Sequence, residues 1–200
     1  MYDTPKANRL HITILGKRNV GKSSLINALT NQPLSVVSET PGTTTDPVSK
    51  AMELLPIGPV VFVDTAGIDD TGDLGELRIE KTKLALEKTD LAILAFNAID
   101  VDISYETELY NALKQRKIPT IGVINKIDLG KENIDFFKNK FSIPFVEVSA
   151  KNDLNIVKFK QAIIDNAPID FVMPTIIGDI VKPKDRVILV APQDIQAPKG

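Results

Sequence analysis

Gly16-Lys17-Arg18-Asn19-Val20-Gly21-Lys22-Ser23 decides how this chain is read. It fits G-x-x-x-x-G-K-S, the pattern of a loop that wraps backbone N–H groups around phosphates. Leu10 to Leu15, just before it, is a short, mostly apolar, β-rich run, and Ser24 to Leu29, just after it, has helical spacing. A strand, a glycine loop and a helix start in that order aim amides and the positive end of a helix dipole at an anion. Gly16, Arg18, Asn19, Val20, Gly21 and Ser24 would build the cradle. Lys22 adds a point charge for the β- and γ-phosphates, and the Ser23 hydroxyl is a ligand for magnesium. A glycine turn arising by chance has no need of the flanking strand and helix. The loop specifies a nucleoside triphosphate and leaves the base open.

Composition narrows the surroundings. The chain has 200 residues, enough for one α/β domain and part of a second. Hydrophobic residues make up 43% and charged residues 25%, as in ordinary globular proteins. The net charge of -2 gives no broad attraction to nucleic acid or membrane, so neither is expected as a partner. There is no cysteine, which removes disulfides, cysteine zinc sites and cysteine-held iron–sulfur clusters from this stretch. No apolar run has the length of a membrane span, and Met1 to Lys6 lacks the apolar core of a signal peptide, so the cytoplasm is the expected location.

Strands and helices alternate along most of the chain. The runs Leu10 to Leu15, Val48 to Leu55, Val60 to Val63, Leu91 to Phe96, Thr120 to Ile124 and Phe145 to Val148 read as strands. Glu76 to Lys88, the face marked by Tyr105, Leu109, Ala112 and Leu113, Lys131 to Phe141 and Leu154 to Ile164 read as helices. The polar stretch from Thr30 to Asp46 reads as a long loop, a type that is often functional. The alternation predicts a mostly parallel sheet of about six strands with helices on both faces. From Pro168 the pattern changes. Pro174, Gly178 and Lys182-Pro183-Lys184 read as a linker, and Arg186 to Ala191 as the first strand of a second domain cut short at Gly200.

Asn125-Lys126-Ile127-Asp128 follows a predicted strand. The Asp128 carboxylate can accept from both N1–H and the 2-amino group of guanine, whereas adenine would leave it unpaired. Asn125 can brace the loop or touch the base edge, and the Lys126 stem can lie over the ring. In Ser149-Ala150-Lys151, the Ala150 N–H can meet guanine O6. Asp64-Thr65-Ala66-Gly67 ends another strand; Asp64 can hold magnesium through water and the Gly67 N–H can sense the γ-phosphate. Thr44, within Pro41 to Asp46, can supply a second hydroxyl to the metal, which would make these two segments switch loops ordered by the γ-phosphate.

Phosphate loop, switch threonine, D-T-A-G, N-K-x-D and S-A-K stand in the order found in translation-factor-type GTPases, which the chain resembles over about residues 9–166. The resemblance implies a Ras-like G domain of the P-loop type at residues 1–167, binding GTP and GDP with Mg2+. After Gly67 many small GTPases carry a glutamine that orients water; here Ile68 cannot. The chain is therefore similar to the potassium-type branch that includes TrmE, Era and EngA, where an asparagine of the phosphate loop ligates K+. Asn19 stands at that position, either as ion ligand or as a turn residue that tolerates the loop backbone. Lys22, Thr44, Gly67, Asn19 and Glu76 are then the candidate catalytic residues, with Glu76 either positioning water or favouring a helix dipole. Arg18 reads as a solvated loop residue rather than an internal arginine finger, and His11, the only histidine, as packed rather than catalytic.

Thr45 where relatives usually have arginine, the segment Glu53 to Val61, and the second switch from Asp64 to Arg78 are similar to the HydF family of [FeFe]-hydrogenase maturation scaffolds. That resemblance implies slow, potassium-stimulated GTP hydrolysis that regulates partner exchange. It also implies a dimerisation domain beginning within residues 168–200, a cysteine-bearing cluster domain beyond, and a homodimer that meets radical-SAM maturases and apo-hydrogenase. No Fe–S cluster is expected on this stretch. The alternatives are a tRNA-modification or ribosome-assembly GTPase, and a binding module whose nucleotide is structural.

Overall fold

Strand β1 (Leu10–Leu15) lies inside the sheet and carries the phosphate loop at its C-terminal end. The computed structural model describes residues 9–30, 37–38, 49–65, 84–171 and 185–188. In chain order, α1 (Lys22–Thr30) follows the loop, then β2 (Val37–Ser38), β3 (Ser49–Leu54), β4 (Gly58–Asp64) and β5 (Leu91–Asn97). Next come α2 (Ser104–Gln115), β6 (Thr120–Asn125), α3 (Ile134–Lys140), β7 (Phe145–Glu147) and α4 (Ile156–Asn166). The sheet order is β2-β3-β4-β1-β5-β6-β7. β4, β1, β5, β6 and β7 run parallel, while β2–β3 and β3–β4 pair antiparallel.

Side-chain alternation explains the layers. Leu91, Ile93 and Ala95 of β5 point into one core, with Leu25 and Leu29 of α1 and Phe159 and Ile163 of α4. Ala92, Leu94 and Phe96 point into the other, with Leu109 and Leu113 of α2 and Ile134 and Phe137 of α3. A strand covered on both faces must be apolar at every position, which is why Leu91 to Phe96 has no polar residue.

From β1 the chain first builds β3 and β4 on one side, then crosses to β5 on the other. Parallel sheets open a crevice at such a reversal, beyond the carboxyl ends of the strands. The phosphate loop leaves β1 there, Asp64 ends β4, and Asn125 ends β6.

The six strands predicted between Leu10 and Val148 are present, joined by a seventh. β2 lies in the stretch read as a loop; two residues have no periodicity, and their pairing of Val37 with Met52 exists only because β3 is adjacent. The predicted helix at 131–141 is shortened to α3, and the one at 154–164 shifts to α4. Leu154 instead bridges Ser149, and Asn155 takes a φ of 61°. Residues 84–87 are helical and Lys88 stands in the turn that follows; residues 76–83 of that predicted helix lie outside the described residues. At 185–188 there is no strand: Val187 and Ile188 are exposed, and β-rich composition without a partner strand forms no ladder. The remainder of that predicted strand, 189–191, lies outside the described residues.

Candidate functional site: the phosphate loop and its base pocket

The loop turns on two glycines. Gly16 has a φ of 146° and Gly21 one of 98°, which L side chains rarely adopt. A Cβ on Gly16 would sit 2.5 Å from the Ala95 carbonyl oxygen, and one on Gly21 would sit 2.5 Å from Asn125 Nδ2. Asn19 also lies in the left-handed region, with a φ of 61°, as a turn asparagine can. Its carbonyl accepts from Lys126 Nζ at 2.5 Å. Lys22, buried, lies back over the loop, its Nζ donating to the carbonyls of Gly16 at 2.8 Å and Lys17 at 3.2 Å.

Ser23 and Asp64 converge. The Ser23 hydroxyl donates to Asp64 Oδ2 at 2.5 Å, and Asp64 is buried. The parallel register places Ile14 beside Asp64, which brings the two together. Thr65 adds a tie, its hydroxyl donating to the Ile14 carbonyl at 2.7 Å. A hydroxyl and a carboxylate form an all-oxygen donor pair, which suits a hard cation that takes its remaining ligands from phosphate and water. Among the described residues no group of three or more His, Cys, Asp or Glu could hold a metal alone. Thr44, Gly67 and Glu76 lie outside the described residues.

Asn125 joins the phosphate loop to the base side. Its Nδ2 donates to the Val20 carbonyl at 2.9 Å, and its Oδ1 accepts from the Ala150 N–H at 3.0 Å. The Ala150 amide expected to meet guanine O6 is thus also engaged by Asn125. A buried asparagine oxygen beside an amide pairs with it rather than remaining unsatisfied. Ser149 is fully buried, and its hydroxyl donates to Asp128 Oδ1 at 2.5 Å. This bond holds the Asp128 carboxyl below its ordinary value of 3.8, with Lys151 and Lys126 adding smaller attractions. A cavity of about 590 Å³ opens here, lined among others by Gly21, Ser24, Asn125, Lys126, Asp128 and Ala150. Lys151 also lines it.

His11 is not packed as expected. It is half-exposed, and the Asp90 carboxylate accepts its backbone N–H at 2.8 Å and lies 3.3 Å from its Nδ1. β1 leaves this one position uncovered. Sequence reading missed the groups under the start of the phosphate loop: Asp102 and Glu106, which meet Lys17. Asp102 was legible only as an Asp-x-Ser turn before α2; its Oδ1 accepts from the Ser104 N–H at 3.0 Å and hydroxyl at 2.8 Å. These bonds lower its carboxyl to about 2. Glu106 belongs to no motif.

A family model described as 50S ribosome-binding GTPase matches residues 11–126, more than half of the chain. The chain belongs to this GTPase family. It is a guanine-nucleotide-binding P-loop G domain of the TrmE/Era/Der type. A tRNA modification GTPase MnmE from Desulforamulus reducens is 32% identical over 169 residues, covering 82% of this chain and 36% of that protein. A GTPase Der from Sulfurimonas denitrificans is 32% identical over 176 residues, covering 82% and 35%. The chain thus spans about a third of the length of these relatives. Among solved structures, Aquifex aeolicus Era bound to GDP·AlF4− is 30% identical with a TM-score of 0.63, over 79% of this chain and 56% of that one. Era in complex with MgGDPNP and part of 16S ribosomal RNA gives the same values. No described helix is long and apolar enough to cross a membrane.

Proposed function

We propose that this domain binds GTP with Mg2+ and hydrolyses it, and that the GTP and GDP forms present different surfaces to partners. The observation that carries the reading is the Asn125 bridge, which fixes the phosphate loop and the Asp128–Ala150 side of one cavity as a unit. In this reading Gly16, Arg18, Asn19, Val20, Gly21, Lys22, Ser23 and Ser24 hold the phosphates. Asn125, Lys126, Asp128, Ser149, Ala150 and Lys151 hold the guanosine. Ala150 would share its N–H between Asn125 and guanine O6. Ser23 and Asp64, with Thr44, would hold the magnesium, which when bound neutralises charge developing on the β- and γ-phosphates. Lys22, Gly67 and Thr44 would stabilise the transferring phosphoryl group, and Glu76 would orient water.

The base assignment is tested by Asp128→Asn. A carboxylate accepts from N1–H and the 2-amino group; an asparagine amide donates toward the 2-carbonyl of xanthine instead. GTP affinity should fall by about a hundredfold and xanthosine triphosphate affinity should rise, since a mismatched polar pair costs a few kcal/mol. Retained preference for GTP over both ATP and xanthosine triphosphate would rule out Asp128 as the reader. With Ile68 at the usual glutamine position and Asn19 in the loop, hydrolysis should run slowly and faster in potassium than in sodium. Equal turnover in the two salts would remove Asn19 as an ion ligand.

For the process served, the MnmE and Der likenesses favour a tRNA-modification or ribosome-linked GTPase. The HydF resemblance of Thr45, Glu53 to Val61 and Asp64 to Arg78 supports a second reading, a scaffold for [FeFe]-hydrogenase maturation with a homodimer, radical-SAM maturases and apo-hydrogenase as partners. Residues 168–200 would then be a linker and the start of the dimerisation domain. Co-purification of tRNA or ribosomal particles with the GTP-loaded protein supports the first; co-purification of radical-SAM enzymes and a dimer supports the second.

A further inference from the structure

Glu106, in the first turn of α2, carries a carboxylate that the GTPase reading does not use. It is 2% exposed. Burying a carboxylate is costly unless hydrogen bonds and an opposite charge offset it. One oxygen, Oε1, accepts from the backbone N–H of Lys17 at 3.3 Å. The other, Oε2, is buried without a hydrogen-bond partner, 3.8 Å from Lys17 Nζ. Burial accordingly pushes its carboxyl above the ordinary value of 4.5, against the pull of Lys17 and with a push from Asp100. The Lys17 ammonium is held in turn by the Asp102 carbonyl and, at 3.1 Å, by Asp102 Oδ2.

The peptide unit that Glu106 grips is the one between Gly16 and Lys17. Its N–H donates to Glu106, and its C=O, pointing the opposite way in the same plane, accepts from Lys22 Nζ at 2.8 Å. A carboxylate on the donor side polarises the peptide and strengthens the carbonyl as an acceptor. Gly16 leaves this peptide unusually free to rotate, because a glycine has no Cβ to restrict its neighbours. A rotated peptide would withdraw the carbonyl from Lys22. An acceptor fixed from below by a buried side chain prevents that rotation.

We propose that Glu106 is a positioning residue for nucleotide phosphates, acting through the Gly16–Lys17 peptide on Lys22, with Lys17 as its counter-charge. This rests on the reading of the loop as a phosphate site. Guanosine fits the base pocket but carries no phosphate for Lys22 to meet, so it separates positioning from general folding. Glu106→Gln keeps an oxygen acceptor, while Glu106→Leu keeps volume without one. On the full chain, Glu106→Leu should bind GDP about tenfold more weakly, the scale of one lost charge-assisted hydrogen bond, with guanosine affinity within about twofold. Glu106→Gln should stay within about threefold of the wild type for both ligands. Equal losses for GDP and guanosine, no loss in Glu106→Leu, or a Glu106→Gln as weak as Glu106→Leu would overturn the proposal. Should Glu106→Leu not fold, Lys17→Met decides: about threefold weaker GDP with unchanged guanosine supports it, and unchanged GDP overturns it. A wild-type chain that binds neither ligand overturns the nucleotide reading itself, and this inference with it.

Discussion

Ser149 acts on Asp128 through a single hydroxyl, and the consequence is a titration. The hydrogen bond favours the carboxylate form and lowers its pKa in the folded protein. In the proposed base site guanine needs that form, since only an ionised carboxylate accepts on both oxygens. Affinity for GDP is therefore present above the Asp128 pKa and lost as pH falls through it. Ser149→Ala should move the loss to higher pH, nearer the ordinary carboxylate value. A series of GDP affinities from neutral pH down to the acid limit of folding checks this; superimposable curves would dissociate Ser149 from the base site. Asp128 was legible in the sequence because its motif has fixed spacing. Glu106 was not, because a contact between residues 17 and 106 leaves no trace in local spacing.

The helices are read from periodicity and fixed by packing. In α3, Phe136 and Phe137 are neighbours in sequence with opposite fates: Phe137 is 0% exposed and Phe136 is 46% exposed. Phe137 stacks on Phe96 with centroids 5.2 Å apart, within a cluster that also includes Phe141 and Phe145. Phe137→Ala should cost about 3–5 kcal/mol, from lost burial plus the cavity left behind. Phe136→Ala should stay within about 0.5 kcal/mol, as surface substitutions do. Chemical denaturation of the two variants measures both, and similar losses would contradict the placement of α3. The ends of α3 and α4 fell inside their predicted ranges or slipped past them because the deciding interactions are tertiary. At α4, the Asn155 side chain donates to the Glu147 carbonyl at 3.0 Å, which fixes the turn before the helix.

At the scale of the whole molecule, the candidate site is a set of carboxyl ends of neighbouring parallel strands. Binding to such a site must stabilise the fold, because a ligand that occupies only the native state shifts the unfolding equilibrium by mass action. GDP with Mg2+ at about a hundred times its dissociation constant should add about 2.7 kcal/mol to the unfolding free energy. The gain should shrink when the metal is chelated and fall to about 0.4 kcal/mol for Asp128→Asn at the same GDP concentration, where a hundredfold weaker ligand is near its dissociation constant; thermal unfolding reads all three. The order of motifs, the alternation of apolar runs and the glycines of the loop are local patterns, set by strand period, helix period and allowed φ. They determined by themselves that this is an α/β G domain and which residues are candidates for its nucleotide site. Tertiary structure decided what touches what. It engaged the Ala150 amide with Asn125, gave a two-residue β2 its partner, left residues 185–188 without a ladder, and set Glu106 beneath the phosphate loop. Each of these depends on groups far apart in the chain meeting at hydrogen-bond distance, and local spacing holds no record of such meetings.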